Sequence, residues 1–288
     1  SALLTKADSL PEFFTQVKAD ADFLRQTRPT AVNLFYGIDH VLTATLSGRF
    51  IEEAKSRAVD AAQEVIEADR RTCHAIGKTG LDVIPDGARI LTHCNAGALA
   101  CAEWGTALGV IRSAQEAGKK ISVYACETRP LLQGARLTTW ELLRDGIDVT
   151  LITDSMAAVL MRKGSIDVVV VGADRIVSDA VFNKIGTYMH AVCAKAHNIP
   201  FYIAAPLSTF DEESSEENVI VEERDPDEVR KVRGCVTGPE NVPVWNPAFD
   251  ATPVSLISGI ITEYGIFSFP RDIETIKQLK KGKDMQRQ

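Results

Sequence analysis

The 288-residue sequence has no apolar run of about 18 residues, the length a membrane-crossing helix needs. Its first residues, SALLTKADSLPEFF, lack the basic start and apolar stretch of a secretory leader. Six cysteines stand at positions 73, 94, 101, 126, 193 and 235, with no Cys-x-x-Cys pair and no repeated interval, so the spacing of a zinc module is missing. Gly-x-Gly-x-x-Gly and P-loop patterns are also missing, which argues against a dinucleotide or ATP. Lys and Arg together number 32 against 39 Asp and Glu, for a net charge of −7. That balance supplies no positive field for nucleic acid or an anionic membrane, so neither is an expected partner. A small anionic substrate remains compatible, because a pocket can be basic under an acidic surface. No internal repeat or low-complexity linker interrupts the chain.

What is present is an ordinary globular composition, 45% hydrophobic and 25% charged, at a length that suits one large domain or two modest ones. Five of the six cysteines read as reduced, buried thiols of a cytosolic protein. Apolar residues at helical spacing predict helices over 11–26, 30–46 and 52–76, closed by Gly48 and by Gly77 and Gly80. From Gly87 the pattern alternates. Strand-like runs at 90–93, 121–125, 149–152, 168–171 and 201–205 are separated by helical stretches at 98–117, 135–144, 156–162 and 187–196. Short apolar strands alternating with helices predict a parallel, doubly wound sheet covered on both faces. The expected organisation is a mainly helical domain over 1–84 and a Rossmann-like α/β domain over 85–288. The acidic stretch 211–218 reads as a solvated loop and 277–288 as a frayed basic tail. The run 254–261 reads as buried either in the fold or at an interface.

Ligands of such sheets sit outside the carboxyl ends of the strands. The first strand runs into His93-Cys94-Asn95-Ala96-Gly97, which would set Cys94 at a tight turn before a helix N-terminus, where amides favour thiolate and phosphate. The same residues also read as a buried structural thiol beside a glycine turn. The second strand leads to Glu127-Thr128-Arg129-Pro130 and then Gln133-Gly134-Ala135-Arg136, groups that suit a phosphorylated or hydroxylated ligand. Arg129 and Arg136 could equally pair with Glu127 and Glu141. After four valines comes Gly172-Ala173-Asp174-Arg175. Shielding from water would raise the Asp174 pKa towards the range of an acid–base group, whereas pairing with Arg175 or a capping role would make it structural. Asn183 and Lys184 precede a helix start, a further anion-friendly arrangement.

Together these stretches resemble the methylthioribose-1-phosphate isomerase family: RPTAVNL (28–34), HCNAGALA (93–100), ETRPLLQGARLT (127–138), TDSMA (153–157), GADRI (172–176), NKIGTY (183–188) and VPVWNPAFDATP (242–253). They occur in the family's order and span most of the chain. The resemblance implies that Cys94 and Asp174 are a catalytic acid–base pair. It also implies that Arg28 and Gln133 contact a small phosphorylated sugar, and that Asn183 and Lys184 hold its hydroxyls or phosphate. The implied reaction interconverts an aldose 1-phosphate and a ketose 1-phosphate, 5-methylthioribose to 5-methylthioribulose, in methionine salvage. It needs no metal or organic cofactor. A cytoplasmic homodimer is implied with it.

Two departures stand out. The family's Arg-Gly-Ala-Pro phosphate-binding segment is absent and RPTAVNL comes as early as residue 28, so the sequence looks as though it begins inside the N-terminal domain. Residues 177–182 read Val-Ser-Asp-Ala-Val-Phe where many relatives carry an Asn-Gly-Asp turn. Related readings are an isomerase of ribose 1,5-bisphosphate or 5-deoxyribose 1-phosphate, and a non-catalytic regulatory protein akin to initiation factor 2B subunits. The joint presence of Cys94, Gln133, Asp174, Asn183 and Lys184 favours catalysis.

Overall fold

A computed structural model describes residues 1–27, 32–268 and 271–286. Two compact units are formed, Ser1–Arg71 and Thr72–Gln288. The first is helical: α1 (Leu10–Thr27), α2 (Val32–Leu46) and most of α3 (Ile51–Gly80). Ser9 begins α1, its Oγ accepting the Glu12 amide at 3.4 Å. Phe13 and Val17 of α1 and Ala54 of α3 form a small core with Leu42 and Ile51 packed against it. The division between the units falls inside α3. Arg28, one of the residues singled out in the sequence, lies outside the described residues.

The second unit is built on a seven-stranded sheet. Its elements follow in chain order: β1 (Arg89–Thr92), α4 (Ala107–Glu116), β2 (Ser122–Cys126), α5 (Thr139–Arg144), β3 (Asp148–Ile152), α6 (Met156–Arg162), β4 (Val168–Val171), β5 (Arg175–Ile176), β6 (Ala180–Lys184), α7 (Thr187–Ala196), β7 (Phe201–Ala204), α8 (Asp227–Arg230), β8 (Lys231–Val232), β9 (Cys235–Val236), β10 (Phe249–Pro253), β11 (Gly259–Thr262), β12 (Gly265–Phe267) and α9 (Ile273–Gln286). The sheet order is β12-β11-β7-β4-β1-β2-β3, and only the edge strand β12 runs antiparallel to its neighbour. Strand residues alternate between two cores. Val168 and Val170 join Ile90, Ile111 and Leu142 on one face, while Val169 and Val171 join Leu91, Met161 and Ala191 on the other. Both faces are covered, which is why β4 reads as four consecutive valines, all fully buried.

From β1 the chain winds outward through β2 and β3, then returns to place β4 on the other side of β1. The direction of winding therefore reverses between β1 and β4, and in sheets of this kind the ligand crevice lies at such a switch point, at the carboxyl ends. A second, antiparallel sheet, β10-β6-β5, follows directly from β4. The β8–β9 hairpin turns through Arg233 and Gly234, both with positive φ (52° and 84°), the backbone of a two-residue hairpin turn.

Several expectations are corrected. No helix starts at residue 98: a single 3-10 turn, Ala98–Ala100, is followed by α4 only from Ala107. Residues 273–286 are helical rather than a frayed tail, and Lys280 of α9 donates to the Phe210 carbonyl at 2.6 Å. The acidic stretch 211–218 is partly pinned, with Asp211 facing Arg175 at 3.5 Å and Glu212 facing Lys280 at 3.3 Å. The run 254–261 supplies a 3-10 turn with no buried residue and, from Gly259, part of the buried strand β11. Only Cys73 and Cys126 are buried thiols. Cys101 is half-buried because its segment is loop rather than helix, and Cys235 is exposed on the hairpin. Among the described residues, no helix is long and apolar enough to cross a membrane.

Candidate active site

Cys94 leaves the end of β1 and Asp174 the end of β4. The two strands are adjacent and parallel, with Leu91 opposite Val169, so both residues emerge at the same edge, one on each side of the switch point. The loops they begin are in contact: a Cβ on Gly172 would lie 2.7 Å from Ala96 Cβ. Asp174 is half-buried and donates its amide to the Phe182 carbonyl at 2.9 Å. That bond ties it to β6, where Phe182 is followed by Asn183 and Lys184.

The backbone at Cys94 is left-handed, with φ 64°, rare for a residue with a side chain. Two threonines hold it there. Thr128 Oγ1 accepts the Cys94 amide at 2.9 Å, and Thr138 Oγ1 donates to the Cys94 carbonyl at 2.5 Å. Thr128 is itself left-handed (φ 67°), and Asp154 fixes it by accepting the amides of Thr128 and Arg129, each at 2.8 Å. Gly134 completes this packing, because a Cβ there would sit 1.7 Å from the Cys126 carbonyl oxygen. A π-helical turn over Gly134–Thr138 then carries the chain into α5, an irregularity common at functional sites. Gln133 opens that turn, and its Oε1 is shut from solvent with no hydrogen-bond partner.

The amides facing the loop after Cys94 are not those of a helix aimed at the thiol. Thr106 and Leu108, at the start of α4, both donate to the Ala96 carbonyl, at 3.0 and 3.2 Å. The loop is organised by Glu141 instead. This carboxylate is 2% exposed, accepts the Ala98 amide at 2.7 Å and the Asn95 side chain at 2.9 Å, and pairs with Arg112 at 2.8 Å. Glu141 thus pairs with Arg112, while Arg129 donates to the Pro130 and Val229 carbonyls and Arg136 to that of Leu131.

Asn183 and Lys184 lie in β6, each 5% exposed. Asn183 donates to Thr187 Oγ1 at 3.0 Å. The Lys184 ammonium donates to the Ala248 carbonyl at 2.8 Å and stands 4.6 Å from the Phe249 ring centre, a favourable cation–π distance. Opposite them in β10, Asp250 caps α7 by accepting the amides of Gly186 and Tyr188 at 2.7 and 3.1 Å. Burial pushes its carboxyl up to about 6, against the lowering effect of those amides and of Lys184.

Behind Cys94 lies a buried polar cluster that linear spacing does not reveal. His93 hydrogen-bonds the Ile185 carbonyl through Nε2 at 2.9 Å and His190 through Nδ1 at 3.2 Å. With Cys126 and Asp154 these histidines place candidate ligand atoms within 4.8 Å of one another. Burial lowers both histidines, His190 to about 3, and raises the Cys126 thiol, so all three are neutral near pH 7. Within the cluster His93 links the end of β1 to the Ile185 carbonyl after β6 and to His190 of α7, and Asp154, after β3, stands 3.8 Å from its Nδ1.

Cys94, Gln133 and Asp174 therefore follow the carboxyl ends of β1, β2 and β4. Asn183 and Lys184 lie in β6 of the second sheet, tied to Asp174 through the Phe182 carbonyl, with Arg28 outside the described residues. Sequence reading assigned no role to Asp154, His190 or Asp250, and offered Glu141 only as a partner for Arg129 or Arg136, where the structure pairs it with Arg112. Asp154 and Asp250 carried a usable signal, since each is an acidic residue within one of the quoted motifs. His190 lies on α7, where nothing local marks it, and the partner of Glu141 comes from α4, which no local pattern gives.

Comparison with known proteins finds similar chains. Over 287 residues the chain is 51% identical to a methylthioribose-1-phosphate isomerase of Heliobacterium modesticaldum, covering 98% of this chain and 83% of that protein. The crystal structure of 5-methylthioribose 1-phosphate isomerase from Pyrococcus horikoshii matches with a TM-score of 0.87 and 42% identity, over 96% of this chain and 79% of that one. A crystal structure titled translation initiation factor eIF-2B, subunit delta, from A. fulgidus matches with a TM-score of 0.85 and 52% identity, over 96% and 82%. The Initiation factor 2 subunit family matches residues 2–269. On that span, and on these identities, the chain belongs to the initiation factor 2 subunit family.

Proposed function

We propose that this chain is an aldose–ketose isomerase, converting 5-methylthioribose 1-phosphate to 5-methylthioribulose 1-phosphate in methionine salvage, with Cys94 and Asp174 as its acid–base pair. The observation that carries the reading is the origin of those two residues from β1 and β4, the strands that flank the switch-point crevice. Gln133, which follows β2, and Asn183 and Lys184 of β6 are proposed to bind substrate, together with Arg28. Residues 85–288 are proposed as the catalytic domain and 1–84 as its helical partner.

The chemistry asks for two groups of different acidity. Phosphate on the anomeric oxygen keeps the sugar from opening as a free hemiacetal. The ring oxygen must receive a proton as its bond to C1 breaks, hydrogen must pass from C2 to C1, and the proton on the C2 oxygen must leave as the ketone forms. Atoms and electrons balance within the substrate, so the net change needs no external oxidant or reductant. A thiol and a carboxyl can share the proton transfers, one giving and one taking. Lys184 brings a buried cation suited to the phosphate or a hydroxyl, and its fixed ammonium needs no reorganisation when substrate arrives.

A cytoplasmic homodimer is proposed with this function. Exposed Trp140, Leu143, Val159 and Val192, on α5, α6 and α7, support a second copy as neighbour, and a solution mass by light scattering tests it. Likeness to a structure titled as an initiation-factor subunit makes a non-catalytic role the competing reading. Turnover assays with 5-methylthioribose 1-phosphate beside ribose 1,5-bisphosphate decide between them. Ketose formation from the first is expected, whereas turnover of the second alone, or of neither, would overturn the assignment.

A further inference from the structure

Asn95 carries a feature that the acid–base proposal does not use. Its Oδ1 is shut from solvent and has no hydrogen-bond partner. The orientation of this amide is dictated by its neighbours. Nδ2 donates to Glu141 Oε1 at 2.9 Å and to Thr138 Oγ1 at 3.2 Å. That oxygen belongs to the carboxylate whose other oxygen, Oε2, pairs with Arg112, so it is an acceptor. The single hydroxyl proton of Thr138 is committed to the Cys94 carbonyl. Turning the amide over would set Oδ1 against two acceptors, so the carbonyl is forced to be the unpaired end. An unsatisfied buried acceptor is costly, and a ligand donor is one group that fills it.

Resting on the isomerase reading above, we infer that Asn95 is a substrate-binding residue whose side-chain carbonyl accepts a hydrogen bond from a free hydroxyl of the furanose. The chemistry of the acceptor selects the group. An amide oxygen repels a phosphate dianion and has no use for a thioether, so it faces the sugar hydroxyls. In 5-methylthioribose 1-phosphate only two are free, on C2 and C3. Asn95 is the residue after Cys94, and one threonine hydroxyl bonds both the Cys94 backbone carbonyl and the Asn95 side-chain amide, so the acceptor belongs to the same turn as the proposed acid–base thiol. The orphaned Oε1 of Gln133 offers a second acceptor at this edge. A hydroxyl on C2 held this way would be recognised in the aldose and lost in the ketose.

The test is the binding of 2-deoxy and 3-deoxy analogues of 5-methylthioribose 1-phosphate by calorimetry, in an Asp174→Asn background that stops turnover. One analogue is expected to bind about tenfold more weakly than the parent sugar, the size of one neutral hydrogen bond. In Asn95→Ala that difference should shrink to within about twofold. Asn95→Ser serves as a second variant should the alanine protein not fold. Equal binding of parent and both analogues, or a tenfold difference that persists without Asn95, would overturn the inference. If the parent sugar neither binds nor turns over on the unaltered chain, the isomerase reading fails instead.

Discussion

Cys94 donates its amide to the hydroxyl of Thr128 at 2.9 Å, and both residues hold left-handed backbones, with φ of 64° and 67°. Such a conformation costs a side-chain-bearing residue on the order of 1–3 kcal/mol and persists only where its surroundings over-determine it. Here Asp154 fixes Thr128 through two amides, and Thr128 with Thr138 fixes Cys94. The thiol is thereby held at one angle to the crevice.

Removing the Thr128 hydroxyl should release that hold. Thr128→Val leaves the Cys94 amide unpaired and is expected to lower stability by about 1–3 kcal/mol. Turnover should fall more than substrate affinity, because the thiol is misplaced while the groups that hold the sugar stay where they are. Thr128→Ser keeps the hydroxyl and should stay near the parent protein in melting temperature. Thermal melts and steady-state kinetics on both variants check this, and equal kcat in parent and valine forms would count against the positioning role.

Gly134 has no room for a methyl group, since its Cβ would fall 1.7 Å from the Cys126 carbonyl. Gly134→Ala must therefore displace the π-helical turn or β2. A destabilisation of about 3 kcal/mol or more is expected, at or above the usual range for overpacking, read from the midpoint of urea unfolding. An unchanged midpoint would mean that the two segments separate without cost.

Much of this arrangement was legible in the sequence, and the remainder has identifiable causes. Strands β1, β2, β4 and β7 announced themselves because burial inside the sheet leaves nearly unbroken apolar runs. Strand β3 did so through Val149, Leu151 and Ile152, although this edge strand is largely exposed. Helices α6 and α7 fell where helical spacing put them. The loop after Cys94 did not. Ala98–Ala100 and the residues beyond it have helical composition, yet the chain there is held by Glu141, more than forty residues away. Strand β6 was hidden because Asn183 and Lys184 look like surface residues. They are buried because β10, sixty residues on, pairs with them. The crevice itself depends on strand order, which no local pattern encodes.

Glu141 should be sensitive to loss of charge. It is buried, paired with Arg112 at 2.8 Å, and holds the loop that follows Cys94. Glu141→Gln leaves the Arg112 guanidinium without a carboxylate partner at that position, and breaking a buried pair from one side costs about 3–5 kcal/mol. Chemical unfolding should show a loss of that order, and one below about 1 kcal/mol would mean that Asp145, also paired with Arg112, carries the charge balance alone.

Acid should destabilise the protein through its buried histidines. His190 is lowered from 6.5 to about 3, by burial first and His93 second, and His93 is lowered too. Below about pH 6.5 the unfolded chain takes up protons that the folded one refuses, so stability is lost as pH falls through this window towards 3. Asp250 acts in the opposite sense. Raised from 3.8 to about 6, it keeps its proton when folded, and that contribution is lost as pH rises through 6. Two histidines outweigh one carboxyl, so net stability should drop between pH 7 and pH 5. His190→Gln should flatten the drop and Asp250→Asn should steepen it, as read from urea midpoints at the two pH values.

The acid–base assignment is tested most directly by Asp174→Asn, which keeps the shape of the side chain and deletes its proton transfer. Binding of 5-methylthioribose 1-phosphate by calorimetry should stay within a few-fold of the unaltered protein, while ketose formation falls by about a hundredfold or more. Turnover within a few-fold of the unaltered protein would remove Asp174 from the chemistry and contradict the pairing of β1 and β4 as the source of the catalytic groups.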